Sequence, residues 1–269
     1  MHYVCSDIHG QLQLYRNMLE SISLREDDSL CVLGDMIDRG ADGVEVLLDM
    51  MDRPNVIPFL GNHELMMLCA MEERDEDPKR WEVKLYARSW LNMNNGGSVT
   101  WERLQALSED KRQRIFSYLR GAWVQKLLEV NGKRYLLCHG SYWQAPTGAD
   151  RTRPAIYPEE LTDIQYSSET MGEGKQLWSL FYRAVWTGLH RYRRDERVTE
   201  EAFRHFPDVT FVNGHVPVQA QDREGIVRTG NVLEIDGGCA LMDDPDFRDR
   251  GCALLCLRLE DGKVFSISS

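Results

Sequence analysis

The chain has 269 residues, 42% hydrophobic and 28% charged, with a formal net charge of −11 at pH 7. That length allows one large domain or two small ones, and the balance is that of a globular protein with ample material for a core. The excess negative charge argues against a nucleic-acid-binding surface as the main business, and no stretch reaches the length needed to cross a bilayer.

The first residues, "MHYVCSDIHG", lack a basic start and an apolar signal core, so the expectation is no signal peptide and a cytoplasmic location. "HYVCSD" reads as a short apolar strand ending in polar residues, and "GQLQLYRNMLESI" as a helix, with Leu12, Tyr15, Leu19 and Ile22 about one turn apart. "SLCVLGD" is the next strand, and "GVEVLLDMMDR" the next helix, closed by Pro54. "NVIPFLGNHE" and "ELMMLCAMEERDE" repeat the pattern. Strand and helix alternating at this spacing predict βαβ units and a largely parallel sheet.

Residues 71–130 read as mostly helical and charged, interrupted by a turn at "NMNNGGS". "KRYLLCHGSYW" is a strand with a polar tip, and residues 145–205 form a long charged region with weak periodicity. "DVTFVNGHVPV" is a strand ending at Gly214 and His215; "VLEIDGGCAL" and "GCALLCLRLEDGKVFSI" close the chain as strands, the last pair a hairpin through Asp261 and Gly262. With no repeat, low-complexity tract or linker, the simplest reading is one domain over residues 1–269, carrying insertions at about 71–130 and 145–205. The 7 cysteines form no CxxC pair; Cys5, Cys31 and Cys138 lie in apolar strands, and reduced core thiols are expected.

Strand after strand ends in the same kind of chemistry. Asp7 and His9 follow the first, Asp35 and Asp38 the second, Asn62 and His63 the third; His139 and His215 follow the later ones. In open α/β sheets, loops after the carboxyl ends of parallel strands gather in one crevice. Carboxylate, imidazole and an amide carbonyl together suit borderline divalent metals and are poor ligands for copper(I) or an iron–sulfur cluster. Glycine borders most of these positions, at Gly10, Gly34, Gly40, Gly61, Gly140 and Gly214, where it allows tight turns and close approach of a ligand. A lone histidine after a strand carries little weight; the ordered set "SDIHG", "GDMIDRG", "GNHE", "CHG" and "GHVPV" carries a great deal.

That set resembles the calcineurin-like metallophosphoesterases. It is most similar to the phosphoprotein phosphatase (PPP) branch, which holds serine/threonine protein phosphatases and symmetrical diadenosine tetraphosphatases. "GDMIDRGADGVEVL", "GNHELMM" and the "NNGG" at Asn94 to Gly97 look most like small bacterial and phage serine/threonine phosphatases. The motifs run from Asp7 to about Gly238, and residues 145–205 match poorly. The resemblance implies an α/β metallophosphoesterase fold in four layers, a β-sandwich of two mixed sheets flanked by helices, with helical insertions. Periodicity alone favours an open doubly wound sheet; the antiparallel character of the last strands suits the sandwich better.

The resemblance also implies roles. Asp7 and His9 would bind a first metal, Asp35 would bridge, and Asn62, His139 and His215 would bind a second. The cofactors would be two divalent ions, Mn²⁺ first, with iron or zinc as alternatives. Two such ions can hold a bridging hydroxide for in-line attack on phosphorus and clamp phosphate oxygens, and a bridging carboxylate offsets their repulsion. His63 would not be a ligand; paired with Asp38 it would donate a proton to the departing alkoxide. Arg39 would fork onto two phosphate oxygens, with Asn62 also toward the phosphate. The family's second phosphate-binding arginine has no counterpart at the expected offset from Trp178 or Trp186; Arg183 is the substitute, with Arg191 another. Ser6 stands where the family more often has glycine.

The expected activity is that of a metal-dependent phosphoric monoester hydrolase, a serine/threonine protein phosphatase acting on a phosphorylated protein or a small phosphoester, with no nucleic-acid or membrane partner. The first alternative is a symmetrical bis(5'-nucleosyl)-tetraphosphatase, for which "RSWLNMN" and "FYRAVWTGLHRYRR" offer basic and aromatic pocket residues. The second is a catalytically inactive binding scaffold, which loss of any ligand would have favoured. A structural zinc protein is disfavoured, because such sites prefer closed Cys/His shells.

Overall fold

The computed structural model of the protein describes residues 1–76, 81–92, 95–140, 161–166, 184–186, 206–247 and 249–268. Its strands, in chain order, are β1 (His2–Cys5), β2 (Ser29–Val32), β3 (Val56–Pro58), β4 (Trp123–Val130), β5 (Lys133–Cys138), β6 (Ile164–Gln165), β7 (Val209–Asn213), β8 (Val227–Thr229), β9 (Val232–Glu234), β10 (Leu254–Arg258) and β11 (Val264–Ile267). Its helices are α1 (Leu12–Ile22), α2 (Gly43–Met51), α3 (Asn62–Glu76), α4 (Trp81–Trp90), α5 (Gly97–Gln105) and α6 (Glu109–Arg120).

The first sheet has the order β11-β10-β1-β2-β3. β1, β2 and β3 run parallel, which requires a crossover after each strand, supplied by α1 and α2. α1 buries Leu14, Tyr15, Met18, Leu19 and Ile22, a stripe at helical spacing. β10 and β11 add an antiparallel hairpin beside β1. The second sheet has the order β6-β4-β5-β7-β9-β8, parallel across β5, β7 and β9 and antiparallel at its edges.

Period-two alternation stacks the two sheets. Val4, Cys31 and Leu257 of the first pack with Tyr135, Leu137, Val212 and Leu233 of the second in one apolar cluster. Their neighbours Tyr3, Cys5, Leu30 and Cys256 face the other way, into the cluster that includes α1 and α2. The arrangement is the sandwich of two mixed sheets flanked by helices that the resemblance implies, and not the open doubly wound sheet that periodicity alone favours. The seven cysteines are free and buried. Among the described residues, no helix is long and apolar enough to cross a membrane.

One correction concerns residues 71–130. Helices occupy this stretch only to Arg120; Trp123–Val130 is β4, which pairs antiparallel with β5 from Gln125↔Cys138 to Val130↔Lys133. The turn between them is Asn131–Gly132, both at positive φ, the two-residue hairpin that Asn-Gly favours. Of residues 145–205, only 161–166 and 184–186 are described, and they include the short edge strand β6.

Candidate metal centre

The site forms where parallel strands end. Asp7 and His9 follow β1, Asp35 and Asp38 follow β2, Asn62 and His63 open α3 after β3, His139 follows β5 and His215 follows β7. Asp35 lies at the middle. Its Oδ2 is 3.4 Å from His139 Nε2, 3.6 Å from His9 Nε2 and 3.8 Å from His63 Nε2. Two groups of donor atoms, each drawn together within 4.8 Å, share that residue: His9, Asp35 and His63 on one side, and Asp35, His139 and His215 on the other. Asn62 Oδ1 sits 3.0 Å from His139 Nε2. Asp7 Oδ1, 4.0 Å from His9 Nε2, is buried with no hydrogen-bond partner among the described residues. A buried carboxylate oxygen left bare beside an imidazole nitrogen fits a cation that uses both.

The imidazoles divide by what holds their far nitrogen. His9 Nδ1 meets the Ile37 carbonyl at 3.0 Å, His139 Nδ1 the Leu33 carbonyl at 2.7 Å, and His215 Nε2 the Trp186 carbonyl at 3.0 Å. An N–H donated to a carbonyl fixes the tautomer and leaves the other nitrogen's lone pair facing the site, as metal ligands need. His63 differs. Its Nδ1 meets the Asp38 carboxylate at 2.7 Å, a partner that stabilises the protonated ring. His63 therefore belongs to the first donor group by position but lacks the carbonyl backing of the other imidazoles.

The electrostatics follow from burial and from the two carboxylates. Burial raises Asp7, with neighbouring Asp35 adding to the rise and His139 opposing it. Burial would raise Asp35 too, but His139, His63 and His9 hold it well below the usual carboxylate range. Burial lowers His215 to about 3, and burial with the Arg39 charge lowers His9. His139 goes the other way: burial works against its charge, yet Asp35 and Asp7 lift it to about 10. The carboxylates at the middle of the site draw positive charge.

Backbone strain concentrates at the same place. Asp7, His9, Asp35, Asp38, Arg39 and His215 all have positive φ, between 46° and 74°. Such residues cost about 1–3 kcal/mol each and persist only when their surroundings over-determine them. Glu64 is one of the restraints, and sequence reasoning missed it. Its buried carboxylate accepts the backbone N–H groups of Asp35 (2.8 Å), Met36 (2.8 Å), Ile37 (3.2 Å) and Gly61 (2.9 Å), tying the loop after β2 to the loop after β3. Burial and the Asp35 charge push its own pKa up to about 7. The "GNHE" motif contains this residue, but nothing in its spacing says where the carboxylate goes. Trp90, Thr100 and the carbonyl of Trp186 were missed for the same reason: each reaches the site from a distant part of the chain.

Arg39, next in sequence to Asp38, is the exposed member of the group. Arg183, Arg191 and Asn94 lie outside the described residues.

The sequence profile of the calcineurin-like phosphoesterases matches residues 3–231. Over 142 residues the chain is 30% identical to "Bis(5'-nucleosyl)-tetraphosphatase, symmetrical" of Wigglesworthia glossinidia brevipalpis, covering 49% of this chain and 50% of that protein. Over 145 residues it is 30% identical to "Serine/threonine-protein phosphatase 2" of Salmonella typhimurium, covering 52% of this chain and 58% of the other. The chain thus spans little more than half the length of these curated relatives. A solved serine/threonine phosphatase from Saccharomyces cerevisiae superposes with a TM-score of 0.52 at 14% identity, over 100% of this chain and 79% of its own, a likeness of fold.

Proposed function

This chain belongs to the calcineurin-like phosphoesterase family, and from that premise we propose that it hydrolyses phosphoserine or phosphothreonine with two divalent cations, Mn²⁺ first among them. Asp7, His9 and Asp35 would hold one ion, and Asp35, Asn62, His139 and His215 the other. Bound there, the ions would supply the water activation and the positive charge that phosphoryl transfer needs. Arg39, exposed beside Asp38, presents a planar fork for two phosphate oxygens. His63 gives its proton to the departing oxygen as the P–O bond breaks.

The observation that carries this reading is the 2.7 Å bond from His63 to Asp38, in a site whose other three imidazoles are backed by carbonyls. A protonated imidazole is most useful where the leaving group is a strongly basic alkoxide, as in a serine or threonine phosphate. A nucleoside diphosphate leaves readily without one. The second reading, symmetrical cleavage of a dinucleoside tetraphosphate, has the likeness to the Wigglesworthia protein in its favour.

One side-by-side assay with Mn²⁺ separates them: phosphate release from a phosphothreonine peptide against cleavage of diadenosine tetraphosphate, each with a chelated control. Preference for the peptide is expected. Preference for the dinucleotide, giving two ADP, would replace the first reading by the second; activity on neither, or activity indifferent to the chelator, would remove both.

A further inference from the structure

Asp38 is fully buried, and His63 is only one of its partners. Trp90 Nε1 donates to both carboxylate oxygens, at 3.0 and 3.2 Å, and the Thr100 hydroxyl donates to Oδ1 at 2.5 Å. The same hydroxyl accepts the Asp38 backbone N–H at 3.0 Å, so Thr100 holds Asp38 at both ends. Trp90 closes α4 and Thr100 lies in α5; both are buried. Neither belongs to a strand-end motif.

The turn between these helices is shaped for that contact. A Cβ on Gly97 would stand 2.6 Å from Trp90 Nε1, and one on Gly96, at φ 72°, would stand 2.7 Å from the Arg39 backbone nitrogen. Any larger residue would push the indole away from Asp38 or the turn away from Arg39. The Gly-Gly pair lets the α4–α5 turn close on the Asp38–Arg39 segment.

We infer that Trp90 and Thr100 are positioning residues for proton donation: they lock the Asp38 carboxylate in the orientation that aims His63 Nε2 at the departing oxygen. The inference rests on the reading of His63 as the general acid. A carboxylate anchored by His63 alone could turn about its own axis and carry the ring with it. With three donors it has one orientation. In the step served, the attacking water oxygen forms its bond to phosphorus and releases a proton to solvent. The bond to the leaving oxygen breaks, its electron pair staying on that oxygen, which takes the His63 Nε2 proton; solvent returns a proton to the ring.

The test uses the whole Mn²⁺-loaded chain and two aryl phosphates, p-nitrophenyl phosphate, whose leaving group needs little protonation, and phenyl phosphate, whose leaving group needs more. His63→Asn is the reference and should lose far more on phenyl phosphate. Thr100→Val, which keeps the shape and removes the hydroxyl, and Trp90→Phe should each lose about tenfold in kcat on phenyl phosphate and under about threefold on p-nitrophenyl phosphate. KM and metal content should be unchanged, and Thr100→Ser should recover most of the loss. Proton NMR of the zinc-loaded, diamagnetic protein supplies a readout apart from turnover. The low-field imidazole N–H resonance that His63→Asn removes should move in Thr100→Val and return in Thr100→Ser. Equal losses on both substrates with that resonance unmoved would overturn the inference and leave the His63 assignment standing. A His63→Asn variant with no leaving-group preference would overturn the assignment itself.

Discussion

Glu64 offers a direct perturbation of the site's frame, because it touches no substrate and is not among the proposed ligands. Glu64→Ala strips the acceptor from four buried backbone N–H groups, those of Asp35, Met36, Ile37 and Gly61. An unsatisfied buried donor costs about 1–3 kcal/mol. Burial of the Glu64 charge, which raises its pKa to about 7, offsets part of the loss, so the low end applies and the expected destabilisation is about 4 kcal/mol. Against a total stability of about 5–15 kcal/mol, that is a large fraction. Glu64→Gln should be intermediate. Its carbonyl can replace Oε1, which serves Met36 and Ile37, but its NH₂ then faces the N–H groups of Asp35 and Gly61, for a cost of about 2 kcal/mol. Urea unfolding in the presence of a chelator reads the stability. Calorimetric titration with Mn²⁺ reads the frame, and affinity should fall about tenfold or more because Asp35 is no longer held. If Glu64→Ala stayed within about 0.5 kcal/mol of the parent and bound Mn²⁺ equally well, the reasoning that Glu64 holds the metal loops together would be refuted.

Asp35→Asn should lose metal and turnover together, measured by elemental analysis and phosphate release; a fully metallated, active variant would refute the bridge. His63→Asn should keep its metal and lose about a hundredfold in turnover; equal loss of metal would make His63 a ligand. Arg39→Ala should leave metal content intact, cost about a hundredfold in kcat/KM and weaken inhibition by inorganic phosphate. Gly97→Ala, whose methyl would meet Trp90, should lower stability by about 1–3 kcal/mol and change the environment of the Trp90 indole, seen as a shift in tryptophan fluorescence; an unchanged Tm and spectrum would count against the close approach.

The residues with chemistry were legible because the polar tips of apolar strands stand out. Asp7, His9, Asp35, Asn62, His139 and His215 were each singled out from residue type and position, and the fold brings them to one place. What joins them was not legible. Glu64 reads as an ordinary first-turn acid of α3, and only the fold shows its carboxylate reaching back across 29 residues to the Asp35 backbone. The Trp90 and Thr100 contacts with Asp38 span 52 and 62 residues, and no periodicity encodes them. β4 was lost for a different reason. Its alternation is blurred, with a burial pattern of two buried residues followed by three half-buried ones, so the charged helices before it dominated the reading. The Asn131–Gly132 dipeptide was the signal that would have found the hairpin. Residues 145–205 gave weak periodicity, and Arg183, assigned there as the second phosphate-binding arginine, lies outside the described residues.

The central claim is that Asp35 organises a centre for two divalent cations on which phosphoester hydrolysis depends. The most direct test strips the chain with a chelator, adds Mn²⁺ stepwise, and follows bound metal and phosphate release from a phosphothreonine peptide on the same sample. Activity rising in step with binding and saturating at two ions per chain is the predicted result. Saturation at one ion, or phosphate release that persists in the stripped protein, would contradict it.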